Sequence, residues 1–245
     1  MTTCLSINNK MLSADFGKML VVSPHLDDAV LSCGELIDQC RDAVVVTVFA
    51  GIPPQADEQT EWDAASGFLT AAQALAWRRD EDRAALALLG ARPLWLEFCD
   101  SQYRVPPAPG ALEQALHNTI LALDPENILL PSGLFHSDHL LVHQAMMGLR
   151  EKHPRKNWFM YEEALYRRIP GLLDGRLADL GAHGIECTPL AFSEGRASGR
   201  KRQAVQCYAS QLRALQTVRR DGHADAFAPE HYWRLGTPGG LHAGN

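Results

Sequence analysis

No stretch of this chain approaches the 18 or more apolar residues of a membrane-crossing helix; the longest apolar runs lie near Ala43–Phe49 and Ile128–Leu130. The N-terminus, MTTCLSINNKMLSADFGK, has no compact apolar segment of about 7–15 residues, so a secretory leader is not expected. CxxC pairs are missing among the six cysteines (Cys4, Cys33, Cys40, Cys99, Cys187, Cys207), and their spacing fits no disulfide scaffold. Reduced thiols in a cytoplasmic protein are therefore expected, and cysteine-based zinc or redox chemistry is a poor fit. A basic excess is lacking too. The 23 Lys and Arg against 29 Asp and Glu give a net charge of −6, whereas a general nucleic-acid binder carries cations to neutralise phosphates. Low complexity is absent: 19 Gly and 14 Pro are too few for a collagen-like or disordered chain.

What remains is an ordinary globular composition, with 46% hydrophobic residues to build a core. At 245 residues, one large α/β domain over 1–245 is expected, with a core of about 19–218 and a disordered tail over 236–245. Short β-branched runs alternate with helical patterns. Strands are expected at 19–23, 43–51, 93–98, 127–132 and 158–162, and helices at 28–40, 71–89, 111–123, 140–150 and 201–218. The first two strands are apolar throughout, as in a parallel sheet covered on both faces. The alternation implies a three-layer α/β sandwich with a mostly parallel, Rossmann-like sheet. Residues 52–59 and 105–110 read as proline-rich loops, and the glycine-punctuated stretch 169–200 as loop-rich or a small irregular subdomain.

Chemistry-bearing residues concentrate in two places. Pro24-His25-Leu26-Asp27-Asp28 follows the first strand, and His136-Ser137-Asp138-His139 follows the fourth. In open parallel sheets, ligands bind beyond the carboxyl ends of the strands, where both clusters fall. Imidazoles and carboxylates without thiolate suit a divalent metal that keeps a position open for water. If one of the adjacent aspartates binds metal, the other is free to take a proton. Each cluster alone also reads as a helix N-cap or a polar loop, but two at equivalent strand ends make coincidence a weak explanation.

These motifs resemble the paired HPDD and HxDH motifs of the LmbE-like or PIG-L superfamily of zinc-dependent N-deacetylases. Arg78–Arg83 followed by Leu89-Gly90, Asp100-Ser101 after the third strand, and KRQAVQCYASQ over 201–211 extend the likeness to roughly residues 19–218. The resemblance implies that His25, Asp28 and His139 bind Zn2+, that Asp27 is the general base, and that His136 stabilises the tetrahedral intermediate or protonates the departing amine. It further implies that Asp138 orients His136 and that Arg78 and Asp100 contact substrate. Three positions depart from the pattern: Leu26 stands for the usual proline, Ala29 for a frequent glutamate, and Leu134 for a tyrosine of some members.

The expected activity is removal of the acetyl group from an N-acetylglucosamine-containing conjugate. The expected partner is thus a small-molecule N-acetylated amino-sugar conjugate, with no nucleic acid and no transmembrane segment, and a homo-oligomer is compatible with the composition. Two alternatives stay open: a zinc amidase cleaving another N-acyl or thiol conjugate, and a catalytically degenerate carbohydrate-binding module. Among other residues, His143 and Cys33 read as packing residues, the basic run 195–202 as a solvated loop, and Trp62 with Phe68 as a candidate sugar-stacking wall.

Overall fold

A computed structural model of the protein describes residues 17–190, 199–217 and 221–236. β1 (Met19–Ser23) and β2 (Ala43–Thr47) are buried at every position and run parallel, from Met19 opposite Ala43 to Ser23 opposite Thr47. Side chains along a strand alternate between its faces, and here the alternation sorts them into two cores. Met19, Val21 and Val45 pack on one side with α1 (Asp28–Gln39), α3 (Ala71–Leu88) and α7 (Gly199–Cys207), through Val30, Ile37, Leu86 and Val205. Leu20, Val22 and Val46 pack on the other with α4 (Ala111–Leu123) and α5 (Ser137–Lys152), through Leu116, Ile120, Val142 and Met146. Each such buried side chain contributes about 1.5–3 kcal/mol. The layers are therefore held by burial on both sheet faces, as the apolar runs imply.

The remaining strands are β3 (Arg92–Trp95), β4 (Asn127–Pro131), β5 (Asn157–Tyr161), β6 (Glu186–Leu190) and β7 (Tyr232–Gly236). The sheet order is β3-β2-β1-β4-β5-β7-β6, parallel from β3 to β5 and antiparallel across β7 and β6. The direction of winding reverses between β1 and β4, and a crevice opens there beyond the strand ends.

The expected elements through residue 161 are present within a few residues. The helix expected at 140–150 starts earlier, at Ser137, because His136 is its N-cap. The helix expected over 201–218 is two, α7 and α8 (Ala209–Thr217), separated at Tyr208. A helix absent from the sequence reading, α2 (Glu61–Ser66), is capped by Thr60. The stretch 169–200 is more regular than its glycines suggest, with α6 (Leu172–Ala182) and β6 inside it. β7 lies beyond residue 218, and Gly236 belongs to it; residues 195–198 of the basic run and 237–245 of the tail lie outside the described residues. Among the described residues no helix is long and apolar enough to cross a membrane, and the five described cysteines are free thiols.

Candidate active site

The turn from β1 into α1 is built by its own side chains. Ser23 Oγ donates to the His25 carbonyl (2.7 Å) and accepts from Ala29 N–H (3.0 Å), while Asp28 Oδ2 accepts the His25 backbone N–H (2.9 Å). Leu26, where a proline is usual, is buried against Ala50, Phe68, Ala74 and Leu75, so packing anchors this turn. Ala29 is likewise buried in the core. Asp27 occupies the N-cap position of α1, but its side chain makes no capping bond. The carboxylate is left for other work.

The second cluster enters from β4. Glu163, just beyond β5, accepts from Ser132 Oγ (3.0 Å) and Leu134 N–H (2.6 Å), and Arg176 of α6 donates to the carbonyls of Ser132 (2.8 Å) and Gly133 (3.0 Å). Gly133 has a left-handed φ of 70°, and a Cβ there would lie 2.6 Å from the His143 Cβ. His143 itself is buried, with Nδ1 donating to the Pro131 carbonyl (2.8 Å). Burial, then Arg176, lowers its pKa to about 4. It is a neutral strut of the corner.

Across the crevice, three atoms converge. His25 Nδ1 and His139 Nε2 are 3.1 Å apart, and Asp28 Oδ2 lies 3.3 Å from the first and 3.2 Å from the second. A tetrahedral ion with bonds of about 2.0–2.1 Å has ligand-to-ligand edges of about 3.3 Å. The outer ring nitrogens are both engaged: His25 Nε2 with Asp138 Oδ2 (3.0 Å), and His139 Nδ1 with Glu163 Oε1. Imidazoles that donate outward turn their lone pairs inward, toward the Asp28 carboxylate. Three electron-pair donors facing one point fit a divalent cation. Alternative groupings, His25 with His136 and His139 or His25 with Asp100 and Asp138, also bring ligand atoms within 4.8 Å. The trio with Asp28 has all three edges within 3.3 Å and keeps the outward partners of both imidazoles in place, whereas the grouping with Asp100 and Asp138 uses His25 Nε2 and spans 3.9 Å.

The electrostatics agree. Burial opposes charge on His25 and His139, yet Asp100, Asp138 and Asp28 hold the first well above the usual imidazole range, and Asp28 with Glu163 raise the second to about 9. Burial also opposes charge on Asp28, but His139 and His25 hold its carboxyl far below the usual range. A site that draws protons this strongly draws a metal cation by the same potential. Asp27 goes the other way: burial and neighbouring Asp28 push it well above the carboxylate range, with His25, His139 and Arg78 pulling back. His136 is lowered by burial and by the adjacent His25 and His139. Its Nδ1 accepts the Asp138 backbone N–H (3.2 Å), which leaves the ring proton on Nε2.

Of the residues singled out in the sequence, His25, Asp27, Asp28, His136, Asp138 and His139 all meet here. Asp138 Oδ2 lies 3.0 Å from His25 Nε2 and 4.0 Å from His136 Nδ1, and it also accepts Ser101 N–H (3.0 Å). Its nearer imidazole is thus His25. Burial resists the Asp138 charge, but His25 holds its pKa low. Asp100 is half-buried at the rim, 3.9 Å from His25 Nε2, and both its oxygens accept from Gln102 (3.0 and 2.8 Å). Arg78 is set deeper. It is 3% exposed, with Nη2 donating to Asp63 Oδ1 (2.8 Å) and Ser66 Oγ (3.2 Å), while Nε is buried without a hydrogen-bond partner among the described residues. The Trp62–Phe68 wall does not form: Trp62 Nε1 donates to Gln211 (3.0 Å), and Phe68 is buried in the cluster under Leu26. In the basic run, Lys201 is buried against Glu230 (2.6 Å) and Arg200 pairs with Asp38 (3.0 Å). The residue missed by sequence reading is Glu163. Its one signal is its position in YEEALY, at the end of another parallel strand on the same sheet edge.

The sequence model of the protein family described as PIG-L: GlcNAc-PI de-N-acetylase matches residues 20–149. Among solved structures, a deacetylase triple mutant of the teicoplanin biosynthetic pathway is similar at 24% identity, covering 91% of this chain and 100% of that one, with a TM-score of 0.70. The A40926 pseudoaglycone deacetylase Dbv21 is similar at 25% identity, with 91% and 98% covered and a TM-score of 0.69. N,N'-diacetylchitobiose deacetylase from Pyrococcus horikoshii shares the fold at 17% identity, with 91% and 85% covered and a TM-score of 0.55. A search of curated proteins gives no significant match.

Proposed function

Starting from the fact that this chain belongs to the PIG-L family of N-deacetylases, we propose that it is a zinc-dependent hydrolase that removes the acetyl group from an N-acetylglucosamine-containing conjugate. The observation that carries this reading is the triangle of His25 Nδ1, Asp28 Oδ2 and His139 Nε2, with sides of 3.1–3.3 Å, beside a carboxylate that caps nothing. His25, Asp28 and His139 are the residues that would hold the ion. When bound, zinc supplies Lewis acidity, acidifying water and polarising an amide carbonyl.

The chain's own groups supply the rest. Asp27, made more basic by burial and by Asp28, accepts the proton of the attacking water on its carboxylate. It then holds that proton for the amine nitrogen, which must gain one as the C–N bond breaks. His136 is neutral near pH 7, because burial and its imidazole neighbours lower its pKa. Its Nε2–H therefore acts as a hydrogen-bond donor to the developing oxyanion, a role worth several kcal/mol in a preorganised site. Leu134 offers no hydroxyl there, so more of this role falls to His136. Asp100 faces the rim, where a sugar hydroxyl can be held.

The test is to incubate the zinc-loaded protein with a panel of N-acetylglucosaminides, including lipid-linked, thiol-linked and glycopeptide conjugates, and to follow deacetylation by mass spectrometry. Loss of acetyl from members of the panel is expected. Binding without turnover would favour a carbohydrate-binding module, and cleavage confined to longer acyl or thiol conjugates would favour the amidase reading.

A further inference from the structure

Glu163 is 2% exposed, and three hydrogen bonds converge on its carboxylate. Oε1 receives His139 Nδ1, while Oε2 accepts from Ser132 Oγ (3.0 Å) and Leu134 N–H (2.6 Å). No Lys or Arg is among these partners. A buried anion is costly unless its charge is compensated, and the titratable group it touches is an imidazole whose far nitrogen faces Asp28 and His25. The charge is thus passed through His139 toward the point where the three donor atoms meet. The same carboxylate also fixes the Ser132–Leu134 segment, and His136 follows two residues later with its N–H bonded to the Leu134 carbonyl (2.6 Å).

We infer that Glu163 is a positioning residue of the metal centre. It holds His139 as the Nδ1–H tautomer with Nε2 presented to the ion, and it holds the corner that carries His136. The inference rests on the metal-dependent reading above. A carboxylate is needed because three donors arrive together. An ionised carboxylate accepts all of them, whereas a Gln side chain brings two donors of its own and must turn them on either the loop or the imidazole. Partners that orient a ligand imidazole typically control metal affinity by 10–100-fold. A purely structural Glu163 would change unfolding and leave affinity alone.

The experiment compares wild type, Glu163→Gln and Ser132→Ala for zinc affinity by chelator competition on folded protein, with circular dichroism as the folding check. Glu163→Gln is expected to bind zinc about 10–100-fold more weakly. Ser132→Ala, which removes a loop bond and spares the imidazole, is expected to stay within about twofold of wild type, below the range for such partners. Equal affinities in Glu163→Gln and wild type, or equal losses in both variants, would overturn the inference. If Glu163→Gln does not fold, ¹¹³Cd-loaded, ¹⁵N-histidine-labelled wild type decides. Cadmium coupling to His139 Nε2 with a protonated Nδ1 supports the assignment, and coupling to Nδ1 refutes it. Wild type that binds neither metal would instead bring down the metal-dependent reading itself.

Discussion

His143 gives the centre a built-in acid limit whose size can be worked out. Its imidazole is buried beneath the β4–α5 corner and donates to the Pro131 carbonyl, with Arg176 and Asp179 of α6 as the charged groups facing it. Its folded pKa is about 4, against about 6.5 for a free imidazole. Because the folded value is the lower one, the unfolded chain takes up the proton first. The contribution to stability is whole above about pH 6.5 and is lost as pH falls toward 4. By linkage the total is about 3 kcal/mol, with about 2 kcal/mol already gone at pH 5. His143→Asn keeps a donor for the Pro131 carbonyl and cannot titrate, at a packing cost of roughly 1 kcal/mol. Urea unfolding of metal-free protein, followed by tryptophan fluorescence at pH 7.5 and 5, measures the two losses. Wild type should lose about 2 kcal/mol more than His143→Asn between these pH values. Losses equal within about 0.5 kcal/mol would refute the claim that His143 is held neutral by burial.

Four further outcomes are expected. Asp27→Asn should keep substantial zinc and lose deacetylation by about 10²–10⁴-fold in single-turnover assays, the range for a positioned general base; zinc-loaded variant with near wild-type chemistry would rule Asp27 out. Alanine at His25, Asp28 or His139 should sharply cut zinc occupancy in elemental analysis, and full occupancy in all three would disprove the ligand set. Asp100→Ala should lower kcat/KM with normal zinc content and stability. Arg78→Ala should instead destabilise the fold by about 3–5 kcal/mol by stranding the buried Asp63 charge, which chemical denaturation would register.

The sequence disclosed those parts of the molecule whose determinants are contiguous. β1 and β2 are legible because every residue in them is buried, and the two metal-type clusters because each begins within five residues of a strand end. β6 is illegible for the opposite reason: it is an edge strand of mostly exposed residues, with Pro189 inside it, and has no alternating apolar face to read. β7, with Arg234 and Gly236, is placed by pairing with β5 and β6. The identity of partners is likewise a tertiary matter. Asp138 is two residues from His136, yet the crevice sets it against His25. Arg78 meets Asp63 on a helix that local pattern did not reveal. Glu163 lies 24 positions from His139, and no spacing rule links a strand-end glutamate to that imidazole.

The sheet order also divides labour among the strand ends. The two central strands, β1 and β4, deliver the groups to which we assign the chemistry, and they are direct parallel neighbours in the sheet. The outer strands β2 and β3 lead into the proline-rich segments after Ala50 and Val105, and β5 leads into the turn after Glu163. These segments leave the sheet at the same edge, so they border the crevice without belonging to its triangle. Insertions or exchanges in them are expected to change which substrate fits before they change the reaction, because loops tolerate change that a doubly covered strand pair does not.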